Sequence, residues 1–293
     1  MSNLATEATA SKSNPSLANL PMTSRHPPEH ALPAYTLDGT IPVEHFYVNE
    51  TDGGEPIAYS AEELGSLIEE MKALLREPHG WRAESERWLS EAIRSELTHG
   101  SRAVVFGSVE PWVECLLLAS GASHVTVVEY HAREYPHPQL STTTVSQFTA
   151  RHFDLAIAHA AFDHDGLGRY GDPLRPDGDL LAMRTAWRAL RPGGKLLISL
   201  PVGPDLLVWN LHRRYGRRRL PRMLAGWEEV GRVGWREARL SAEADHRQRY
   251  EPVFILRRNA SEDEPRPGPQ PPLVEVDASP ATESAEAREK EEV

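Results

Sequence analysis

Residues 102–130 read RAVVFGSVEPWVECLLLASGASHVTVVEY, and the rest of the chain is organised around them. Residues 103–106 are a short apolar run, β-branched at its centre, that stops at Gly107, as a strand buried on both faces should. Pro111 suits the first turn of a helix, where its missing N–H costs nothing. Trp112, Val113, Leu116, Leu117 and Ser120 recur at three- and four-residue spacing, and Gly121 supplies the stop. A second apolar run, 125–128, ends in Glu129. Together these make one βαβ unit, a layout that binds nucleoside-bearing cofactors.

An open parallel sheet keeps its ligand crevice beyond the carboxyl ends of its strands, so Gly107 and Glu129 should sit side by side at that edge. Gly107 lets backbone approach a ligand closely, and Glu129, about twenty residues on, is placed to accept hydrogen bonds from ribose hydroxyls. The full G-x-G-x-x-G fingerprint is absent: Ser108, Val109 and Glu110 follow the single glycine.

The charge is uneven. Residues 261–293 carry ten acids against three bases, net −7 of the chain's −11. The remainder is only mildly acidic, which gives no support for a nucleic-acid binder. The one cysteine, Cys115, lies on the apolar side of the first core helix and reads as a small buried hydrophobe. With no partner for a disulfide, no secretory-type apolar run and no stretch near the ~20 residues needed to span a bilayer, the expectation is a cytoplasmic protein.

Four segments are expected. Residues 1–55 form a disordered or extended tail, the first 32 of them rich in Ser, Thr, Ala, Asn and Pro. Residues 56–99 form a helical cap. Its first helix is announced by a capping box, Ser60 with Glu63, and by the stripe Leu64, Leu67, Ile68, Met71, Leu74 and Leu75; its second runs over 83–97. Residues 100–258 form the main domain, and 259–293 an acidic disordered tail. Within the main domain, 140–148 and 153–158 read as the third and fourth strands. A helix over 178–190, capped by Asp177, is followed by a fifth strand over 195–200. Residues 205–214 read as helical, 226–235 as entering a sixth strand, and 250–257 as a seventh, antiparallel to the sixth.

The segment LRPGGKLLISLPV resembles the helix end, turn and fifth strand of class I S-adenosylmethionine-dependent methyltransferases, with FDLAIA in the place of their fourth strand. The stretch from 102 to 258, including VFGSVEPWVE, FDHDGLGRYGDPL and WNLHRRYGRRRLP, is similar to a narrower group, domain of unknown function 268. The resemblance implies a Rossmann-like, three-layer α/β methyltransferase fold of about seven strands, mostly parallel with an antiparallel last strand. It also implies S-adenosylmethionine as cofactor. Gly107, with Ser108 and Glu110, would meet its methionine portion, and Glu129, with Tyr130, its ribose.

Methyl transfer to a hydroxyl or amine needs alignment and removal of a proton. Asp163 and His164, just past the fourth strand, and His212, after the fifth, are the expected catalytic groups; Arg169, Tyr170 and Arg213 are the expected substrate contacts. Six arginines between 213 and 222 are either a solvated basic face or a site for an anionic substrate. The run Asp163-His164-Asp165-Gly166 begins like a calcium loop, but Leu174 stands where the bidentate glutamate belongs, so no metal is expected. Three functional classes follow: a methyltransferase for a small molecule or glycan, an inactive methyltransferase-like binding module, and an NAD-dependent oxidoreductase.

Overall fold

The computed structural model describes residues 23–50, 57–77, 80–149, 151–242 and 249–259. The chain opens with a 3-10 turn, Glu29–Ala31, then α1 (Leu32–Thr36), β1 (Val43–Phe46), β2 (Ile57–Ala58), α2 (Ala61–Arg76) and α3 (Glu84–Glu96). The βαβ unit follows as β3 (Arg102–Phe106), α4 (Trp112–Ala119) and β4 (His124–Glu129), and then β5 (Arg133–Glu134), β6 (Leu140–Thr144) and β7 (Phe153–His159). The remaining elements are α5 (Gly178–Ala189), β8 (Leu190–Ser199), β9 (Leu206–Asn210), β10 (His212–Arg214), α6 (Leu220–Leu224), β11 (Glu228–Val233) and β12 (Val253–Arg257).

Seven strands form one sheet in the order β11-β12-β8-β7-β3-β4-β6. The five from β8 to β6 are parallel, and β12 runs antiparallel to both β8 and β11. This is the expected Rossmann-like methyltransferase fold. From β3 the chain steps to β4 on one side, whereas from β7 it steps to β8 on the other. Right-handed crossovers in opposite directions put α4 and α5 on opposite faces and open a crevice between β3 and β7 at their carboxyl ends. The continuous apolar runs of β3 and β7 fit this place, since Ala103, Val104, Val105 and Ala156, Ile157, Ala158 are all fully buried.

Helix α2 forms as its capping box demands. Ser60 Oγ accepts the Glu63 N–H while the Glu63 carboxylate accepts the Ser60 N–H, and Leu64 and Met71 are buried as α2 packs on α4. Helix α3 lies against β8, β11 and β12. Asp177 precedes α5 but makes no side-chain cap; its carboxylate instead pairs with Arg175 at 3.3 Å.

Two further expectations are corrected. Residues 205–214 are two strands and not a helix. All five positions of β9 are buried, β1 pairs with it in parallel on one side, and β10 pairs antiparallel on the other. An apolar run this short does not separate helix from strand by periodicity, and the strand it needs lies far upstream. That strand sits in the segment expected to be a tail through residue 55. Here α1 and β1 instead build a second core, in which Ala31, Tyr35, Leu37 and Ile41 pack with Leu167, Leu174, Leu207 and Trp209. Residues 1–22, 51–55 and the acidic stretch from 260 on, also expected to be disordered, lie outside the described residues.

Candidate functional site

A cavity of about 620 Å3 opens at the carboxyl edge of the sheet. Its walls come from the residues after β3, from the last residues of β4 and β7 and those just beyond, and from residues that precede β12: Gly107 and Ser108, Glu129 and Tyr130, His159 and Ala161, Arg249 and Glu251. Phe106, Phe148 and Phe162 contribute an apolar floor, with Phe148 edge-on to Phe106 at 5.5 Å between ring centroids.

The inner half joins the two positions that the sequence singled out. Gly107 has φ +72°, where a side chain would be strained, and its N–H donates to the Val128 carbonyl at 3.1 Å. A Cβ there would stand 2.5 Å from that of Ala161. The next residue, Ser108, donates its N–H to Glu129 Oε1, so loop and strand tip are tied directly. Glu129 Oε2 accepts the Tyr130 N–H at 3.1 Å, and Arg133 Nη2 lies 3.3 Å from Oε1. Burial pushes the Glu129 carboxyl up, and the Arg133 guanidinium pulls the other way. A carboxylate oxygen offers two acceptor positions, so Oε2 keeps one for a ligand. Arg133 Nη1 is buried and has no hydrogen-bond partner among the described residues.

Beneath this loop lies Glu114, fully buried and absent from the sequence-based candidates. Burial raises its carboxyl to about 7. Ser108 Oγ lies 3.0 Å from Glu114 Oε2 and 2.8 Å from the Glu110 carbonyl. A neutral Glu114 can donate to the hydroxyl, which then donates onward. The Glu110 side chain is at the rim and faces Arg82, with 3.5 Å between Oε2 and Nη1. Tyr130 lines the cavity, but its hydroxyl is committed to Asp165 Oδ1 at 2.9 Å.

The outer half departs further from expectation. His164, Arg169 and Tyr170 line it, whereas Asp163, His212 and Arg213 do not. Asp163 is sealed behind His164, with Oδ2 3.5 Å from His164 Nε2 and neither oxygen hydrogen-bonded among the described residues; burial pushes it up to about 7. His164 Nδ1 meets the Leu211 carbonyl, and burial, aided by the Arg169 charge, holds the ring neutral by lowering it to about 3. His212 is packed behind it, 6.4 Å between ring centroids, and is likewise pushed down to about 3 by burial. Arg213 is a buried clamp that donates to the Asp165 carbonyl at 2.6 Å and the Arg175 carbonyl at 3.3 Å. The arginine-rich run is therefore neither a solvated face nor a substrate site as a whole. Arg219 is buried against Asp179 at 2.7 Å, while Arg217 pairs with Glu237 on the surface.

Arg133, His159, Arg249 and Glu251 line the cavity and went unread in the sequence. His159 is the tip of β7, the position that Glu129 occupies on β4, and the same logic of strand ends would have found it. Glu251 stands two residues before β12. Because that strand runs antiparallel, its beginning lies at the carboxyl edge of the others. Burial, reinforced by Asp163, raises the Glu251 carboxyl to about 7; Oε1 has no hydrogen-bond partner among the described residues and lies 3.8 Å from Arg249 Nη1. Among the described residues no group of three or more His, Cys, Asp or Glu is arranged to hold a metal, and no helix is long and apolar enough to cross a membrane.

The profile of the family described as Caenorhabditis protein of unknown function, DUF268, matches residues 100–253, which run from the approach to β3 into β12. The chain belongs to this family. No curated protein matches it in sequence. Among solved structures it is similar to Burkholderia thailandensis 1,6-didemethyltoxoflavin-N1-methyltransferase, crystallised with 1,6-didemethyltoxoflavin and S-adenosylhomocysteine. The identity is 16%, over 70% of this chain and 93% of that one, with a TM-score of 0.47. Similar too are the N-methyltransferase NodS from Bradyrhizobium japonicum WM9 (18%, 60% and 94%, 0.38) and an S-adenosylmethionine-dependent methyltransferase from Mesorhizobium loti (16%, 60% and 99%, 0.39).

Proposed function

We propose that this DUF268 chain is an S-adenosylmethionine-dependent methyltransferase acting on a small molecule or glycan. One observation carries the reading: Gly107–Ser108 and Glu129 are joined at the carboxyl edge of a parallel sheet, on the wall of a cavity whose size lies within the roughly 300–1,000 Å3 usual for small-ligand sites. The residues present fit the cofactor. Glu129 Oε2 has an acceptor position for a ribose hydroxyl, Arg133 Nη1 is a buried donor with no partner among the described residues, and the phenylalanine floor suits an aromatic base. When bound, the cofactor supplies an electrophilic methyl group on a sulfonium centre.

The chain's own residues then have to orient the acceptor and take its proton. His164 and His212 are too weakly basic for this at neutral pH, because burial holds both well below the ordinary histidine range. Glu251 is better matched, with a carboxyl near neutral on the cavity wall. We assign it as the proton acceptor, with Asp163 behind it raising its basicity. Arg169, Tyr170 and Arg249 flank it as substrate contacts. Thermal shift with S-adenosylmethionine, S-adenosylhomocysteine and NAD tests the reading, since a ligand that binds only the folded chain must raise its apparent stability. The first two should raise the midpoint and NAD should not. A response to NAD alone would replace the methyltransferase with an oxidoreductase.

A further inference from the structure

The loop between β7 and α5 carries His164, Arg169 and Tyr170, the wall of the cavity's outer half. Its glycines at 166, 168 and 171 all have positive φ, and the Asp172 carboxylate staples its turn by accepting N–H groups from Gly166 at 2.6 Å, Gly168 at 3.0 Å and Tyr170 at 3.2 Å. That staple binds three amides of the turn and makes no bond to Arg169 itself. Within the loop Arg169 Nη1 lies 3.4 Å from His164 Nδ1, and the remaining hold on the side chain comes from the other end of the sequence.

The N-terminal arm, residues 24–50, crosses over this loop. The Trp209 indole donates to the Ser24 carbonyl at 3.0 Å, the Tyr35 hydroxyl to the Gly166 carbonyl at 2.7 Å, and the Val48 N–H to Asn210 Oδ1 at 2.8 Å. At the end of the arm the Glu50 N–H donates to the Arg169 carbonyl at 2.8 Å. Arg169 Nε and Nη2 return two parallel bonds to the Glu50 carboxylate, both 3.1 Å. The guanidinium so fixed lies 4.8 Å from the centre of the Tyr170 ring, and Tyr170 stands edge-on to His164 at 5.6 Å. A planar fork on a carboxylate specifies direction as well as attraction. Because Glu50 is half-exposed, the pair adds little to overall stability, and its contribution is geometric.

We infer that the N-terminal arm is part of the site, with Glu50 as the positioning residue that aims Arg169 and holds Tyr170 as the wall of the acceptor half. The arm lies outside residues 100–253, so the family match alone does not reveal it. The inference rests on the methyltransferase reading only in naming that half the acceptor side.

The test uses the full chain and its Glu50→Ala, Glu50→Gln and Glu50→Asp variants. Three quantities are measured: hydrogen exchange of the backbone amides at 164–170, the NMR signal of the Arg169 Nε–H, and the affinity for S-adenosylhomocysteine. In Glu50→Ala the Arg169 signal should broaden into solvent exchange and the loop amides should exchange faster by on the order of tenfold. Glu50→Gln, which can accept only one of the two bonds, should fall between, and Glu50→Asp should recover part of the protection. Cofactor affinity should stay at the parent value in all three. Parent-like exchange and an intact Arg169 signal in Glu50→Ala would overturn the inference, as would a parallel loss of cofactor affinity, which would make the arm a scaffold for the whole fold. A parent chain that does not bind S-adenosylhomocysteine would refute the methyltransferase reading, while the exchange data would still decide the role of Glu50.

Discussion

Replacing Glu251 with glutamine keeps the shape of the side chain and removes its charge. Burial moves this carboxyl from 4.5 in its ordinary state to about 7, and Asp163 adds to the push while Arg249 opposes it. At about 1.4 kcal/mol per pH unit, the ionised folded state carries a penalty of roughly 3 kcal/mol. The direction matters. Below about pH 4.5 both folded and unfolded chains hold the proton and no penalty applies. Between 4.5 and 7 the unfolded chain ionises while the folded one does not, so stability drains away as pH rises; above 7 the loss is complete. Glu251→Gln should therefore match the parent in urea unfolding at pH 4.5 and exceed it by up to about 3 kcal/mol at pH 8. The same variant should bind S-adenosylhomocysteine normally and fail to transfer a methyl group, a trade of activity for stability. A variant less stable than the parent at pH 8 would show that Glu251 is held by a structural ion pair, and the assignment as proton acceptor would fall.

Three other outcomes are expected. Gly107→Ala places a Cβ 2.5 Å from that of Ala161 on backbone at φ +72°, and left-handed backbone alone costs about 1–2 kcal/mol. Chemical denaturation should show at least that loss, with part of it recovered in the double variant with Ala161→Gly. Asp179→Asn leaves the buried guanidinium of Arg219 without its carboxylate and should cost about 3–5 kcal/mol by the same measurement. Because the Asp179 carboxyl is held below its ordinary range, chiefly by Arg213 and Arg219 against burial, that contribution is present above the ordinary carboxylate range and lost as pH falls through the folded value. Cys115 is fully buried with its thiol pushed up to about 12 by burial, so a disulfide reagent should label it only as fast as the chain unfolds.

The parts of the fold legible in the sequence are those written locally. A buried parallel strand shows as an unbroken apolar run, and its end shows as a glycine or an acid, which is why β3, β4, β7 and the pairing of Gly107 with Glu129 could be read in advance. The capping box of α2 is equally local. What escaped depends on distant partners. Nothing within residues 205–214 announces that β1, more than 150 residues upstream, completes their sheet. Nor does the arginine run reveal that Arg213 and Arg219 point inward while Arg217 points out, since neighbours in sequence differ only in what the fold brings to them. The proposed move of the proton acceptor from His164 to Glu251 has a related reason. A histidine titrates near neutrality only while solvated, and the same burial that disarms His164 brings Glu251 to about 7.

Calorimetric titration with S-adenosylhomocysteine, on the parent chain and on Glu129→Ala, tests the central claim most directly. The parent should bind, and loss of a charge-assisted hydrogen bond worth about 1.5–3 kcal/mol should weaken the variant roughly ten- to a hundredfold. Absence of binding to the parent, or equal affinity in the two, would contradict it.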